Sequence, residues 1–103
     1  MPITVLFVDD NEDIRNNVNE LLTLSGYNVL VAANGKEGVE LAKNHLPAII
    51  VCDVMMPGLD GWSVLHILKK DARTRNIPFI FLTAKTERID FRTAIELGAN
   101  DYI

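Results

Sequence analysis

Short runs of consecutive apolar residues alternate along this chain with longer stretches in which apolar residues return every three or four positions. The first run, Ile3 to Val8, is rich in β-branched residues and has the length of a strand. Ile14, Val18, Leu21 and Leu22 then recur at helical spacing, and Gly26 marks the stop. Residues 27 to 32 predict a second, weaker strand. Asn34, with Glu37 three positions later, resembles a capping box and opens a helix that Pro47 must end. Ala48 to Cys52 is a continuous apolar strand. Asp60 is a suitable N-cap for a third helix over residues 61 to 70, with Val64, Leu65 and Leu68 facing inward. Phe79 to Leu82 predicts a fourth strand. Thr86 or Glu87 opens a fourth helix with Phe91, Ala94, Ile95 and Gly98 on one face, and Asn100 to Ile103 begins a fifth strand.

Strands alternating with helices predict βαβ units, and therefore a parallel sheet. The strands at 3–8, 48–52 and 79–82 are apolar almost throughout, as expected where helices cover both faces of a sheet. The fold class is α/β, a doubly wound five-stranded parallel sheet. The length of 103 residues argues for a single domain over residues 1–103.

Charge and composition narrow the function. Hydrophobic residues make up 49% and charged residues 23%, a globular balance. A net charge of −4 argues against direct nucleic-acid binding by this segment, because no basic stripe is available to neutralise phosphates. The ten Lys and Arg residues are scattered, apart from a loose cluster at Lys69, Lys70, Arg73 and Arg75. A single cysteine, Cys52, rules out an internal disulfide and points to a reducing compartment. No apolar run is long enough to span a membrane, and no signal-peptide pattern opens the chain, so the expectation is a cytoplasmic domain.

In sheets of this class the site lies beyond the carboxyl ends of the strands. The first strand ends in Asp9-Asp10, the third in Asp53 and the fourth in Thr83-Ala84. Each has a plain structural reading. An Asp pair after a strand serves turns and helix caps, Asp53 passes as a loop carboxylate, and Thr83 suits a strand. Together they place three carboxylates at one edge, where like charges repel and raise one another's pKa. A bound cation is the simplest balance, and oxygen donors with few protein ligands suit Mg²⁺. The first turn reads "DDNEDI" where a nucleotide-binding sheet carries Gly-x-Gly-x-x-Gly, which counts against a dinucleotide or P-loop site.

The segments "VLFVDDNEDIRNNVNELLTLSGY", "IIVCDVMMPGLDGW", "PFIFLTAKT" and "AIELGANDYI" resemble, in order and spacing, the receiver domain of bacterial two-component response regulators. The resemblance brings the strand order 2-1-3-4-5 of the flavodoxin-like fold, for which receiver proteins are themselves a type example. It implies that Asp53 is the phosphoacceptor and that Asp9 and Asp10 hold Mg²⁺ together with Asp53 and the Met55 carbonyl. It implies that Thr83 contacts the phosphoryl group, that Tyr102 is the switch aromatic, and that Met55 and Lys85 tune the lifetime of the acyl phosphate. The implied partner is a sensor histidine kinase or a phosphotransfer domain. The implied output is a change in the face of helix four and strand five. The chain would be a regulatory phosphoacceptor that assists its own phosphorylation and dephosphorylation, not an enzyme acting on a separate substrate.

Receivers also carry a lysine at the end of strand five, then a cis-proline turn and a fifth helix, and this chain ends at Ile103 before any of them. The expectation is a C-terminally incomplete domain, lacking the last helix, with an apolar patch left over strands one, four and five. Such a patch favours dimerisation or strand swapping. Two rival functions stand beside the switch: an inert receiver-like interaction scaffold, and an aspartate-nucleophile phosphohydrolase. The second would carry Asp-x-Asp after the first strand, whereas this chain has adjacent aspartates and a separate Asp53. Cys52 reads as a small core residue, His45 and His66 as surface residues, and Trp62 as a packing anchor.

Overall fold

The computed structural model describes residues 2–82, residue 98 and residues 101–102. Five strands, β1 (Thr4–Val8), β2 (Asn28–Ala32), β3 (Ile49–Asp53), β4 (Phe79–Leu82) and β5 (Asp101–Tyr102), form one parallel sheet of order β2-β1-β3-β4-β5. Three helices connect the first four strands: α1 (Glu12–Leu24), α2 (Gly35–His45) and α3 (Gly61–Lys70). The expected fold class, strand order and first three helices are all present. The expected fourth helix lies outside the described residues, except for Gly98, which adopts a positive φ of 106° in a turn.

Local chemistry explains where each helix begins and ends. Asn11, Asn34 and Asp60 each adopt extended backbone, and their side chains accept the N–H of Ile14, Glu37 and Ser63. Each satisfies a donor that the first helical turn leaves without a partner. Glu37 Oε1 reaches back past the cap and accepts the Ala33 N–H at 3.3 Å, one residue short of a reciprocal capping box. Helix α1 stops at Ser25 and Gly26, where φ is +94°. Leu46 takes left-handed geometry at the end of α2, just before Pro47, which bars the helix from continuing. Thr74, fully buried, donates its hydroxyl to the Leu68 carbonyl at 2.7 Å and so satisfies the end of α3.

The core is concentrated on one face of the sheet. Alternate residues of three strands, Leu6 and Val8, Ile50 and Cys52, Phe79 and Phe81, meet Ala42 of α2 and Val64, Leu65 and Leu68 of α3. Trp62 packs against this cluster with its ring centroid 4.6 Å from that of Phe81, as expected of an anchor. Cys52 is wholly buried, and His45 and His66 are exposed, also as expected.

The opposite face is shallower. Val5 and Phe7 are buried, but Ile49, Val51, Ile80 and Leu82 are only half-buried. Helix α1 packs on β1 and β2 and contains no fully buried residue. Ile14, Val18 and Leu22 are half-buried, while Leu21 is 64% and Leu24 79% exposed. The apolar stripe of α1 is thus wider than the surface it covers. An open apolar groove of about 450 Å³ runs beside it, lined by Ile3, Val5, Leu22, Tyr27, Ile49 and Val51. The expected apolar patch is present at β1, where it extends onto β3; the side chains of β5 lie outside the described residues.

This asymmetry predicts a contrast in urea unfolding. Leu65→Ala should cost about 2–5 kcal/mol, the usual range for a leucine deleted from a packed core. Leu21→Ala should stay within about 0.5 kcal/mol of the parent. Equal losses at the two positions would contradict the one-sided core.

Candidate functional site

The parallel pairing of β1 with β3 aligns Val8 with Cys52, so the next residues, Asp9 and Asp53, emerge side by side at the carboxyl edge of the sheet. Both are buried, at 3% and 6% exposure. Asp10 is exposed and opens the cluster to solvent. The three residues each offer a carboxylate oxygen, and these oxygens lie within 4.8 Å of one another.

Neither Asp9 nor Asp10 caps the helix that follows, because Asn11 does so. Asp9 Oδ1 accepts the Asn11 N–H at 2.9 Å, which fixes the carboxylate over the turn. Its backbone is held as well: the Asp9 N–H donates to the Ala32 carbonyl at 3.1 Å, and Arg15 Nη1 donates to the Asp9 carbonyl at 3.0 Å. The capping role therefore falls to Asn11, while Asp9 serves the turn before it.

Asp53 is positioned by close approach of the backbone. Gly61, the first residue of α3, donates its N–H to the Val54 carbonyl at 2.8 Å. A Cβ at Gly61 would collide with the Asp53 carbonyl oxygen and lie 2.9 Å from Val54 Cα. Only glycine lets α3 start this close to the end of β3. In the sequence Asp60-Gly61 reads as a helix start, which does not reveal this role. A signal was available, since glycine is a poor helix former and its presence in a first turn asks for a packing reason.

The field at the site is negative. The Cys52 thiol, next to Asp53, has its pKa pushed up, chiefly by burial and then by the charges of Asp53, Asp9 and Asp60. A cluster of this kind is complementary to a hard cation. Mg²⁺ holds oxygens at about 2.0–2.1 Å, so opposite ligands stand roughly 4 Å apart. The three carboxylate oxygens converge closely enough to share one such ion. The donor set fits Mg²⁺.

The remaining expected residues are less fully placed. Met55 is 43% exposed, between buried Val54 and buried Met56, in the loop leaving Asp53. On β5 the backbone of Tyr102 pairs in register with Phe81 of β4, and its side chain lies outside the described residues. Thr83 and Lys85 also lie outside them.

A family model described as the response regulator receiver domain matches residues 5–103. The chain belongs to that family. This receiver is 42% identical over 103 residues to the response regulator Rre1 of Synechocystis, covering 99% of this chain and 45% of that protein. It is 41% identical over 99 residues to the probable transcriptional regulator ycf27 of Porphyra purpurea, covering 96% of this chain and 40% of the relative. The receiver thus spans less than half the length of the curated relatives it matches. Among solved structures, chemotaxis protein CheY4 of Vibrio cholerae superposes with a TM-score of 0.91 at 28% identity, covering 100% of this chain and 86% of that one. The N-terminal domain of a response regulator receiver protein from Methanoculleus marisnigri gives 0.87 at 34% identity, covering 97% and 81%. The family places the receiver in two-component, phosphorylation-dependent signalling and supports a regulatory role. Among the described residues, no helix is long and apolar enough to cross a membrane.

Crowded carboxylates make a sharp prediction. Mg²⁺ should raise the urea midpoint of the wild type, by about 2.7 kcal/mol of stability when it is present at 100 times its dissociation constant. Asp53→Asn should lose most of that gain. Without the metal, the same variant should be at least as stable as the parent, because one of three repelling charges is gone.

Proposed function

We propose that this receiver is a phosphoryl-accepting switch in which the Asp53 carboxylate is the acceptor. The observation that carries the reading is the convergence of Asp9, Asp10 and Asp53 from two adjacent strands onto one cation-sized cluster. In the proposal, Asp9, Asp10, Asp53 and the Met55 carbonyl would hold Mg²⁺, directly or through water. When bound, the ion supplies positive charge that lowers the repulsion between the carboxylates and an incoming phosphoryl group.

Asp53 is suited to in-line attack because β3 and Gly61 fix its backbone and α3 cannot drift away. One of its oxygens forms a bond to phosphorus. The bond from phosphorus to the donor breaks, and its electron pair leaves with the donor, a phosphohistidine imidazole or the carboxylate of a small acyl phosphate. The product is an acyl phosphate on Asp53. Holding reactants in position and stabilising charge provide the catalysis, since phosphoryl transfer demands little covalent chemistry from the protein.

The modification adds negative charge and acceptor oxygens at the sheet edge. Thr83 is proposed to contact those oxygens, Tyr102 to report the change to the face of β5, and Met55 and Lys85 to set the lifetime of the phosphoryl group. These roles rest on the family resemblance. The proposed donor is a sensor histidine kinase or phosphotransfer domain, the proposed compartment the cytoplasm. The receiver is proposed to serve as the input module of a larger regulator, a reading supported by its similarity to part of a probable transcriptional regulator and of a response regulator.

Incubation with acetyl phosphate and Mg²⁺, followed by intact mass measurement, should give one added phosphoryl group. Asp53→Asn or chelation of the metal should abolish it, and hydroxylamine should release it, as expected of an acyl phosphate. A wild-type protein that takes up no phosphoryl group, or an adduct that persists in Asp53→Asn, would sink the assignment. Continuous release of phosphate from a small phosphoester would favour the phosphohydrolase instead.

A further inference from the structure

The loop from Val54 to Asp60 leaves the acidic site and carries Met55. Its two ends are tied by the Gly61 N–H to Val54 carbonyl bond, and Gly58 turns it at a φ of +74°. Its crown rests on a different element. Gly35, the buried first residue of α2, faces Leu59 so closely that a Cβ there would collide with the Leu59 carbonyl oxygen. The same Cβ would lie 2.9 Å from Leu59 Cβ and 3.0 Å from Val64 Cγ2. Contacts under 3.0 Å to backbone cannot be relieved by a side-chain rotation, so either the loop or α2 would have to move. Gly35 is not a positive-φ glycine, so its backbone conformation is open to any residue. Space, not conformation, demands glycine here.

The helix start itself is rigid. Asn34 Oδ1 accepts the Glu37 N–H at 2.8 Å, and Gly38 one turn later sits so close to β1 that its Cβ would meet Val8 Cγ2 at 2.8 Å. Helix α2 therefore cannot easily yield, and the loop is the part that would give. Leu59 also packs against the core cluster, so its backbone is seated from both sides.

We propose that Gly35 is a positioning residue for the acidic site: the first turn of α2 seats the Leu59 backbone and thereby holds the 54–60 loop, with Met55, in register with Asp53. This rests on the reading of Asp9, Asp10 and Asp53 as a Mg²⁺ site. Substitution of Gly35 adds an atom more than one residue away from any proposed ligand, yet it should weaken the ion's hold through the loop.

The test compares Gly35→Ala with Ala42→Gly, which loosens the same helix from the inside without crowding the loop. Mg²⁺ affinity is read by calorimetry or by the fluorescence of Trp62, and exchange of the Gly61 amide hydrogen is read without metal. Gly35→Ala should weaken Mg²⁺ binding about tenfold, the lower end of what supporting residues usually contribute. It should also speed exchange at Gly61. Ala42→Gly should lower the melting temperature yet bind Mg²⁺ within about twofold of the parent. Equal losses of affinity in the two variants, or an unchanged Gly35→Ala, would overturn the proposal. Should Gly35→Ala fail to fold, Leu59→Ala loosens the same seat by removing atoms, and unchanged Mg²⁺ binding there would overturn it equally. A wild type that binds no Mg²⁺ would count against the metal site alone. The seat is then judged on Gly61 exchange, which should still quicken in Gly35→Ala.

Discussion

The structure depends on holding like charges together at the rim of an apolar sheet, with two of the three carboxylates buried. Asp9 and Asp53 are each the residue that follows, or ends, a strand that is apolar apart from Thr4. Pairing β1 with β3 buries those residues and drags the carboxylates along. The balance of magnitudes favours the strands. A fully buried Val, Leu, Ile or Phe side chain contributes about 1.5–3 kcal/mol, and the core cluster on one face of the sheet contains many of them. Removing an ion from water costs several kcal/mol. The apolar majority can carry two buried carboxylates, and the charge left at the edge is what makes that edge receptive to a cation.

Precision at such an edge comes from backbone contacts more than from side-chain packing. Gly61 lets α3 begin against the end of β3, and Gly35 lets α2 begin against the loop that leaves it. A side chain that is slightly misplaced can change rotamer, whereas a backbone carbonyl against a helix start has no such freedom. The site is therefore braced by two helix N-termini on one side, and by the Asn11 turn and the Arg15 contact on the other.

Much of this was legible beforehand, and the reasons differ from residue to residue. The strand at 79–82 and the helix at 61–70 match the structure at both ends, because a continuous apolar run and an Asp cap are local signals. The alignment of Asp9 with Asp53 was legible because a parallel sheet leaves few ways to arrange its strand ends. The depth of α1 was not. A helical period marks which side is apolar, but only the tertiary structure decides how much of it is covered, and Leu21 proved to face solvent. The close approaches at Gly35 and Gly61 were also hidden, because a forbidden Cβ is a property of two segments that meet only after folding. That Asn11, not the aspartate pair, caps α1 was hidden too, because Asp and Asn are both capping residue types and only the folded turn selects one of them.

The route of the chain through the sheet has a consequence for how the protein comes into being. Asp9 belongs to the first strand and Asp53 to the third, and those strands are neighbours while the second lies outside them. Closing that arrangement requires a long loop of chain, including all of α1, β2 and α2, to be ordered or at least looped out first. Such closures are entropically slow compared with local helix formation. On a chain emerging from the ribosome, the acidic pair would appear early and remain an ordinary hydrated turn until the third strand docked beside it. The cluster cannot exist in part, and so its chemistry is withheld from every species in which that long-range contact has yet to form.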